Sequence, residues 1–416
     1  MDEVKILLNN VGMYQNPASV EEYESRGGYR GLRKALTMEP PEIVEEVRRS
    51  KLRGRGGAGF PTGVKWGFTA PLPGEKYILC NADEGEPGTF KDRIIMEEDP
   101  HELIEGILIA GYAVGAQKAY IYVRGEYYTS IRMLKEAINN AERKKYVGKN
   151  VMGSDFSFSI EVRTGAGSYV CGEETAMIAS LEGKRGNPRV RPPYPGTEGL
   201  WKKPSVVNNV ETLANIPFII VKGADWYKSV GTEESAGTKI FTVSGNVVTP
   251  GYYELPMGVT LRELIYEQCG GIKGNKKFKA ALVGGAAAGS FLGDDKLDVR
   301  MSFEDLARNN GCLGSGAVLV LDEDSQILDV LKWIMEFFVH ESCGLCTPCR
   351  VGNARILDII NDILMEKEKG KERVKKTKES CERMLRIAEI MNKTCLCPFG
   401  QSPLVPLSSA LSLGVE

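Results

Sequence analysis

SFSIEVRTGAGSYVCGEETAMIASLEGKRG, residues 157–186, carries the pattern that decides the fold. A strand-like run, a glycine turn and a helix-forming run follow one another without interruption. The same order governs the chain upstream. KYILCNADEGEPGTFKDR (76–93) reads as a buried strand followed by an acidic turn, and PHELIEGILIAGYAVGA (100–116) as a helix. KAYIYVRGEY (118–127) is then a strand and YTSIRMLKEAINNAERKKY (128–146) a helix. Strands alternating with helices predict a parallel α/β sheet through about residue 225.

Outside this alternation the pattern changes twice. Before it, PEIVEEVRRSKLR (41–53) has helical spacing and runs into the glycine-rich GRGGAGFPTGVKW (54–66). After it, IFTVSGNVVTPGYYELPMGVTLRELI (240–265) reads as two strands about a Pro-Gly turn and then a helix. FKAALVGGAAAGSFL (278–292) and GAVLVLDEDSQ (316–326) add strands, which makes a small α+β unit. From Ile327 the pattern is helical, a bundle interrupted by the cysteine stretch ESCGLCTPCR (341–350). The expected division is 1–235, 236–326 and 327–416. The Lys/Glu-rich run Glu366–Lys378 reads as a solvated helix face and turn.

A chain of 416 residues with 42% hydrophobic and 26% charged residues has the balance of a soluble protein with two or three cored domains. A formal net charge of -2 points to neither nucleic acid nor a basic membrane-facing surface. Ten cysteines, unevenly spaced, suit metal or redox use in a reducing compartment better than a disulfide scaffold. The first thirty or so residues lack the basic start, apolar stretch and cleavage site of a signal peptide. The longest uncharged apolar stretch, Ile107–Ala116, is too short for a bilayer, which takes about 20 residues. A soluble, cytoplasmic protein is expected, one that reaches a membrane only through partners.

Cys343, Cys346 and Cys349 stand at steps of three. A structural zinc site wants paired C-x2-C knuckles or a Cys/His pair, and Cys395 and Cys397 have the wrong gap for a knuckle. Two overlapping C-x2-C steps suit a cubane, with three thiolates on one loop taking different iron corners. The fourth ligand then comes from far along the chain: Cys397, followed by Pro398 as the last cysteine of ferredoxin motifs often is, is preferred to Cys395. His340, close before the motif, and His101 read as packing or capping residues.

GRGGAG matches G-x-G-x-x-G through Gly54, Gly56 and Gly59, but it follows a helix where an ordinary dinucleotide fingerprint follows a strand. Its physical content survives, because glycines let a backbone present N–H groups to phosphates. Lys65 is then a phosphate partner, and Phe60 and Phe68 can stack on a flat ring; the alternative is a flexible surface loop. Asp83, Glu84 and Glu86 cluster after a strand, as a solvated turn or as acceptors for a flavin or ribose. GAGSYVCGEETA is a second glycine turn entering a helix, with Glu173 and Glu174 in its first turn. Asn208 and Asn209 offer amides that both donate and accept, as a flavin edge requires.

GRGGAGFPTGVKW, NADEGEPGTFKDR, GAGSYVCGEETA, PSVVNNVET and ESCGLCTPCRVG, in this order, resemble the NADH-binding flavoprotein subunit of bacterial respiratory complex I, the NADH-quinone oxidoreductase, over essentially the whole chain. The resemblance implies a Rossmann-like FMN- and NADH-binding domain, then a β-grasp soluble-ligand-binding domain, then a helical domain with one [4Fe–4S] cluster. It places Gly54, Arg55, Gly56, Gly57 and Lys65 on the glycine loop, and Phe60 and Phe68 beside the NADH adenine. Asn81, Asp83, Glu84 and Gly85 fall on flavin positions, and Glu86 on the catalytic carboxylate beside the nicotinamide. Tyr169, Gly172, Glu173, Glu174, Asn208, Asn209 and Thr212 fall on the remaining flavin and NADH positions. Tyr194 stands where some relatives have Phe. Cys343, Cys346, Cys349 and Cys397 match the cluster ligands, although the sequence CLCPFG leaves Cys395 a minor rival.

NADH gives up two electrons together as hydride, while an iron–sulfur cluster takes one at a time, so a flavin must lie between them. The expected activity is that of an NADH dehydrogenase feeding quinone. The resemblance also implies a thioredoxin-like [2Fe–2S] partner subunit, a larger multi-cluster partner, and a place on the cytoplasmic side of the inner membrane held by those partners. Two other readings are the flavin subunit of a soluble NAD-linked hydrogenase or formate dehydrogenase, and a non-enzymatic, zinc-stapled binding protein.

Overall fold

The computed structural model describes residues 4–367 and 373–414, so part of the Glu366–Lys378 run lies outside the described residues. The apolar stretch within Pro100–Val114 forms one helix, with Pro100 in its first turn and Gly115, at φ 73°, ending it. Every residue of this helix except Tyr112 is buried. It backs the first sheet as a central support rather than an amphipathic surface element. Gly106 is required there: a Cβ would meet the Leu213 carbonyl oxygen at 2.0 Å.

The first sheet contains β1 (Tyr77–Ala82), β2 (Lys118–Val123), β3 (Ser159–Thr164) and β4 (Ser205–Asn209) in the order β3-β2-β1-β4, every pair parallel. This is the expected parallel α/β sheet. The chain winds from β1 outward to β3, then returns to place β4 on the other side of β1. Its winding direction therefore reverses between β1 and β4.

The second sheet contains β5 (Thr238–Gly245), β6 (Gly251–Pro256), β7 (Phe278–Val283), β8 (Ser290–Gly293) and β9 (Ala317–Asp322) in the order β6-β5-β9-β7-β8. Only β5 and β9 pair in parallel. The helix expected after β6 is π-helical over Glu263–Gln268. Helices Ile327–Glu341, Thr347–Lys367, Arg373–Thr394 and Leu404–Ser412 complete the chain. They share one apolar core with Ala280, Leu282 and Phe291 of the second sheet, and Cys349, Cys395 and Cys397 lie within it.

A buried charge network joins the first two parts. Glu211 and Lys239 are 2.6 Å apart and both fully buried, and Lys91 approaches Glu211 to 3.0 Å. Burial opposes the Glu211 charge, but Lys239, Lys91 and Arg55 outweigh it and hold the carboxyl below the usual range.

Candidate functional site

In an open parallel sheet the ligand crevice lies beyond the C-terminal strand ends where the winding reverses. Here that point is the pair β1 and β4, with Asn81 in register opposite Asn209. Asn81 Nδ2 donates to the Gly172 carbonyl at 2.7 Å, and its Oδ1 accepts from Asp83 N–H. The strand end is thereby tied to the second glycine turn. Beside it, Asp83 Oδ2 is buried with no hydrogen-bond partner among the described residues. Desolvation pushes the Asp83 carboxyl up to about 7 against the pull of Arg124.

The glycine loop lies over β4. A Cβ on Gly56 would come 3.0 Å from Asn209 Cβ, and Gly57 adopts φ 125°, a conformation that excludes side chains. Arg55 N–H donates to Thr212 Oγ1 at 2.8 Å. Among the described residues, the N–H groups of Gly56 and Gly57 have no acceptor. An orphaned carboxylate oxygen, free loop N–H groups and a surface that side chains would block together fit a phosphorylated flavin.

Several of the expected ligands also make bonds that hold the shape of the pocket. Arg55 is fully buried, its guanidinium donating to the Thr238, Ala236 and Arg53 carbonyls and to Tyr227 Oη. Glu84 accepts from Asp92 and Arg93 N–H and from Tyr127 Oη–H, which caps the helix Lys91–Glu98. Asn208 Oδ1 accepts from the indole of Trp66, itself fully buried. Asn209 caps the helix Val210–Ala214 and donates to Asp92 at 2.6 Å. Glu173 caps the helix Glu174–Leu181 through Thr175 and Ala176 N–H.

The outer rim carries exposed aromatic groups and half-buried charged ones. Phe60, Phe68 and Tyr194 are 46%, 63% and 58% exposed, high values for large rings. Glu174 accepts from Arg191 at 2.7 Å and stands 3.7 Å from Lys65, which donates to the Val207 carbonyl. Arg191 and Arg124 are not marked in the sequence, because an isolated arginine in a loop has no spacing signal.

Glu86 sits where the first two parts meet. Its Oε2 accepts from Tyr169 Oη–H at 2.9 Å and its Oε1 from Ala287 N–H at 2.6 Å, in the β7–β8 turn. Desolvation raises its carboxyl, partly offset by these two donors. A Cβ on Gly285 would meet Glu86 Oε1 at 2.5 Å, so that turn must be glycine. Close approach to Tyr169 would also crowd any side chain on Gly85.

Tyr169 continues the path toward the cysteines. Its ring lies 5.0 Å from Phe337 and 5.6 Å from Phe399, and its N–H donates to Glu341 Oε2. Cys343, Cys346, Cys349, Cys395 and Cys397 are brought into one pocket, Cys349 facing the first two and Cys397. Cys397 precedes the short helix Pro398–Gln401; burial pushes its thiol up, partly offset by the Phe399 and Gly400 N–H groups of that helix. Cys395 instead faces the Cys346 thiol. A cubane fits this donor set. Among the described residues no three His, Cys, Asp or Glu side chains converge as a single metal ion requires. His340 is exposed beside Glu341, and buried His101 bonds Tyr29 and the Ala18 carbonyl, as packing histidines do.

Residues 47–218 match the Nuo51 FMN-binding domain, 240–288 the SLBB domain, and 329–413 the NADH-ubiquinone oxidoreductase-F iron-sulfur binding region. The NADH-quinone oxidoreductase F subunit of Aquifex aeolicus is 55% identical over 80% of this chain and 77% of its own length. The chain belongs to the family of NADH-quinone oxidoreductase F subunits. The NADP-reducing hydrogenase subunit HndC of Solidesulfovibrio fructosivorans is 45% identical over 98% of this chain and 81% of its own length. In three dimensions the chain resembles a NAD+-reducing [NiFe]-hydrogenase in the H2-reduced state, with TM-score 0.83 and 36% identity. That alignment covers 99% of this chain and 66% of the other.

Family membership bears out the expected fold class, the NADH dehydrogenase activity, and FMN and a [4Fe–4S] cluster as cofactors with NADH as substrate. Members of this family are parts of larger complexes, so partner subunits are implied. Among the described residues no helix is long and apolar enough to cross a membrane.

Proposed function

We propose that this chain is the electron-input component of a NADH-quinone oxidoreductase, working as three units: residues 1–235 for FMN and NADH, 236–326 as a β-grasp brace, and 327–416 for the cluster. The observation that carries this reading is the unbroken contact from Glu86 through Tyr169 to Phe399 and the cysteine pocket. FMN supplies the ability to accept a hydride and release electrons singly. Everything else is positioning by the chain.

The free N–H groups of Gly56 and Gly57 receive the flavin phosphate, and Asp83 and Asn81 meet its polar chain. Phe60, Phe68 and Tyr194 flank the adenine, while Lys65, Arg191 and Glu174 order the NADH ribose and phosphates. Glu86, fixed by Tyr169 and Ala287, accepts a hydrogen bond from the nicotinamide amide. Cys343, Cys346, Cys349 and Cys397 hold the cluster. The partners are a thioredoxin-like [2Fe–2S] subunit and a larger multi-cluster subunit, which keep this chain on the cytoplasmic face of the inner membrane.

Glu86→Gln tests the catalytic assignment. It replaces an acceptor with a mixed donor, so flavin-loaded protein is expected to lose ten- to a hundredfold in NADH-to-ferricyanide kcat/KM, the range of a hydrogen bond to a charged group. Unchanged kcat and KM would remove Glu86 from the site. The extended match to the hydrogenase subunit HndC favours a second reading, the flavin subunit of a soluble hydrogenase. Isolation of the native complex decides between them, by quinone-reducing membrane subunits or by hydrogen-dependent reduction of NAD(P).

A further inference from the structure

Two side chains aim hydrogen-bond donors at one cysteine sulfur. Asn353 lies one turn beyond Cys349 on the helix Thr347–Lys367, fully buried, with Nδ2 3.3 Å from Cys349 Sγ. Ser342, just past the helix Ile327–Glu341, places Oγ at the same 3.3 Å from that sulfur. Ser342 Oγ already accepts from Gly344 N–H, which leaves its own proton for the sulfur. The Asn353 amide is costly to bury here. Its Oδ1 has no partner among the described residues, a penalty of about 1–3 kcal/mol that a leucine in the same space would avoid. A ligating thiolate has only acceptor capacity, so an amide nitrogen facing it turns that cost into a function.

We infer that Ser342 and Asn353 raise the reduction potential of the iron–sulfur cluster by hydrogen bonding to the sulfur of Cys349. The inference rests on the cluster assignment above. Reduction adds one electron and no proton, and part of the added charge resides on the thiolate sulfurs. Donors to those sulfurs therefore stabilise the reduced form more than the oxidised form. Cys349 is the buried member of the loop triad, so water contributes little at its sulfur, and these two side chains take that place.

The test is the midpoint potential of the cluster, read from the EPR signal of the reduced centre in iron-loaded full-length protein poised at a series of potentials. Ser342→Ala and Asn353→Leu are each expected to lower the ratio of reduced to oxidised cluster three- to tenfold at a fixed potential; tenfold corresponds to about 59 mV. Ser342→Thr, which keeps the hydroxyl, should stay at the wild-type value. Wild-type midpoints in both Ser342→Ala and Asn353→Leu, at full iron content, would overturn the inference while leaving the cluster assignment intact. If Asn353→Leu takes up no iron, the Ser342 pair alone decides. A wild-type chain that shows no cubane signal would overturn both.

Discussion

The flavin pocket and the cysteine pocket lie at two ends of one path but are built by different means. The first draws on segments near residues 55, 83, 169, 191 and 209 and is fastened by buried polar bonds: Arg55 to the Thr238 and Ala236 carbonyls, Asn208 to Trp66, Lys239 to Glu211. The second draws on one loop and one later cysteine, set in an apolar core with Phe338, Ile356 and Met391. A pocket whose polar groups satisfy one another keeps its shape without a ligand. A pocket of thiols gains its cross-link only from the metal. The two ends should therefore fail independently.

The largest expected effect breaks the cysteine end alone. Cys397→Ser removes the proposed fourth cluster ligand and should abolish the reduced-cluster EPR signal, and the helices after Ile327 should become more susceptible to protease. Cys395→Ser should keep the signal. NADH-to-ferricyanide turnover should survive in both within about twofold, because ferricyanide takes electrons at the flavin. A normal signal in Cys397→Ser with loss in Cys395→Ser would reverse the ligand assignment.

The converse variant is Lys239→Met. Breaking a buried pair leaves Glu211 undercompensated at a cost of about 3–5 kcal/mol, moderated here because Lys91 also reaches that carboxylate. The denaturation midpoint should fall by that equivalent and FMN should be lost on dilution. Cluster EPR in folded protein should be unchanged; a parallel loss of cluster would merge the two ends into one cooperative unit.

These contrasts follow how each end appears in the sequence. The cysteine loop is local, so spacing alone exposes three of its thiols, and the parallel sheet follows from hydrophobic periodicity. The roles of Arg55 and Glu84 do not. A charged residue in a glycine loop or an acidic turn looks like a ligand, and only the folded chain reveals the carbonyls around Arg55 or the helix end over Glu84. Glu254 makes the same point: it accepts from Ile6, Leu7 and Leu8 N–H, pinning the N-terminal segment to β6 across most of the chain. No local pattern encodes such a clasp. Nor does one mark Arg191, whose partner Glu174 lies across the pocket rim.

Asp83 gives the flavin end a pH signature of its own. Its folded value of about 7 exceeds the ordinary 3.8, so the FMN-free folded state holds a proton that the unfolded chain has released. Its contribution to stability is therefore fully present below about pH 4 and falls as pH rises to about 7. Asp83→Asn should remove that part of the slope and stabilise FMN-free protein by up to about 4 kcal/mol at pH 8, read from urea midpoints at pH 5 and pH 8. An unchanged slope would mean that Asp83 is solvated and not part of the pocket floor. The same variant should bind FMN more weakly, since the orphaned oxygen would become part of an amide.

The smallest effect belongs to the rim. Phe68 is 63% exposed, on the helix Thr62–Thr69, whose other face buries Trp66. Its ring supports little of the fold, so Phe68→Ala should change the unfolding midpoint by no more than about 0.5 kcal/mol, as for other surface substitutions. If the ring flanks the adenine, its removal costs about 1 kcal/mol of stacking, a roughly fivefold rise in KM for NADH with kcat unchanged. The adenine is remote from the hydride, so it is bound equally in ground and transition states, which is why the loss should fall on KM alone. A fall in kcat at constant KM would place Phe68 at the reacting end and reverse the orientation of NADH along the groove. An equal loss of stability would assign the ring to the pocket's own framework, joining it to Arg55 and Trp66 as a support.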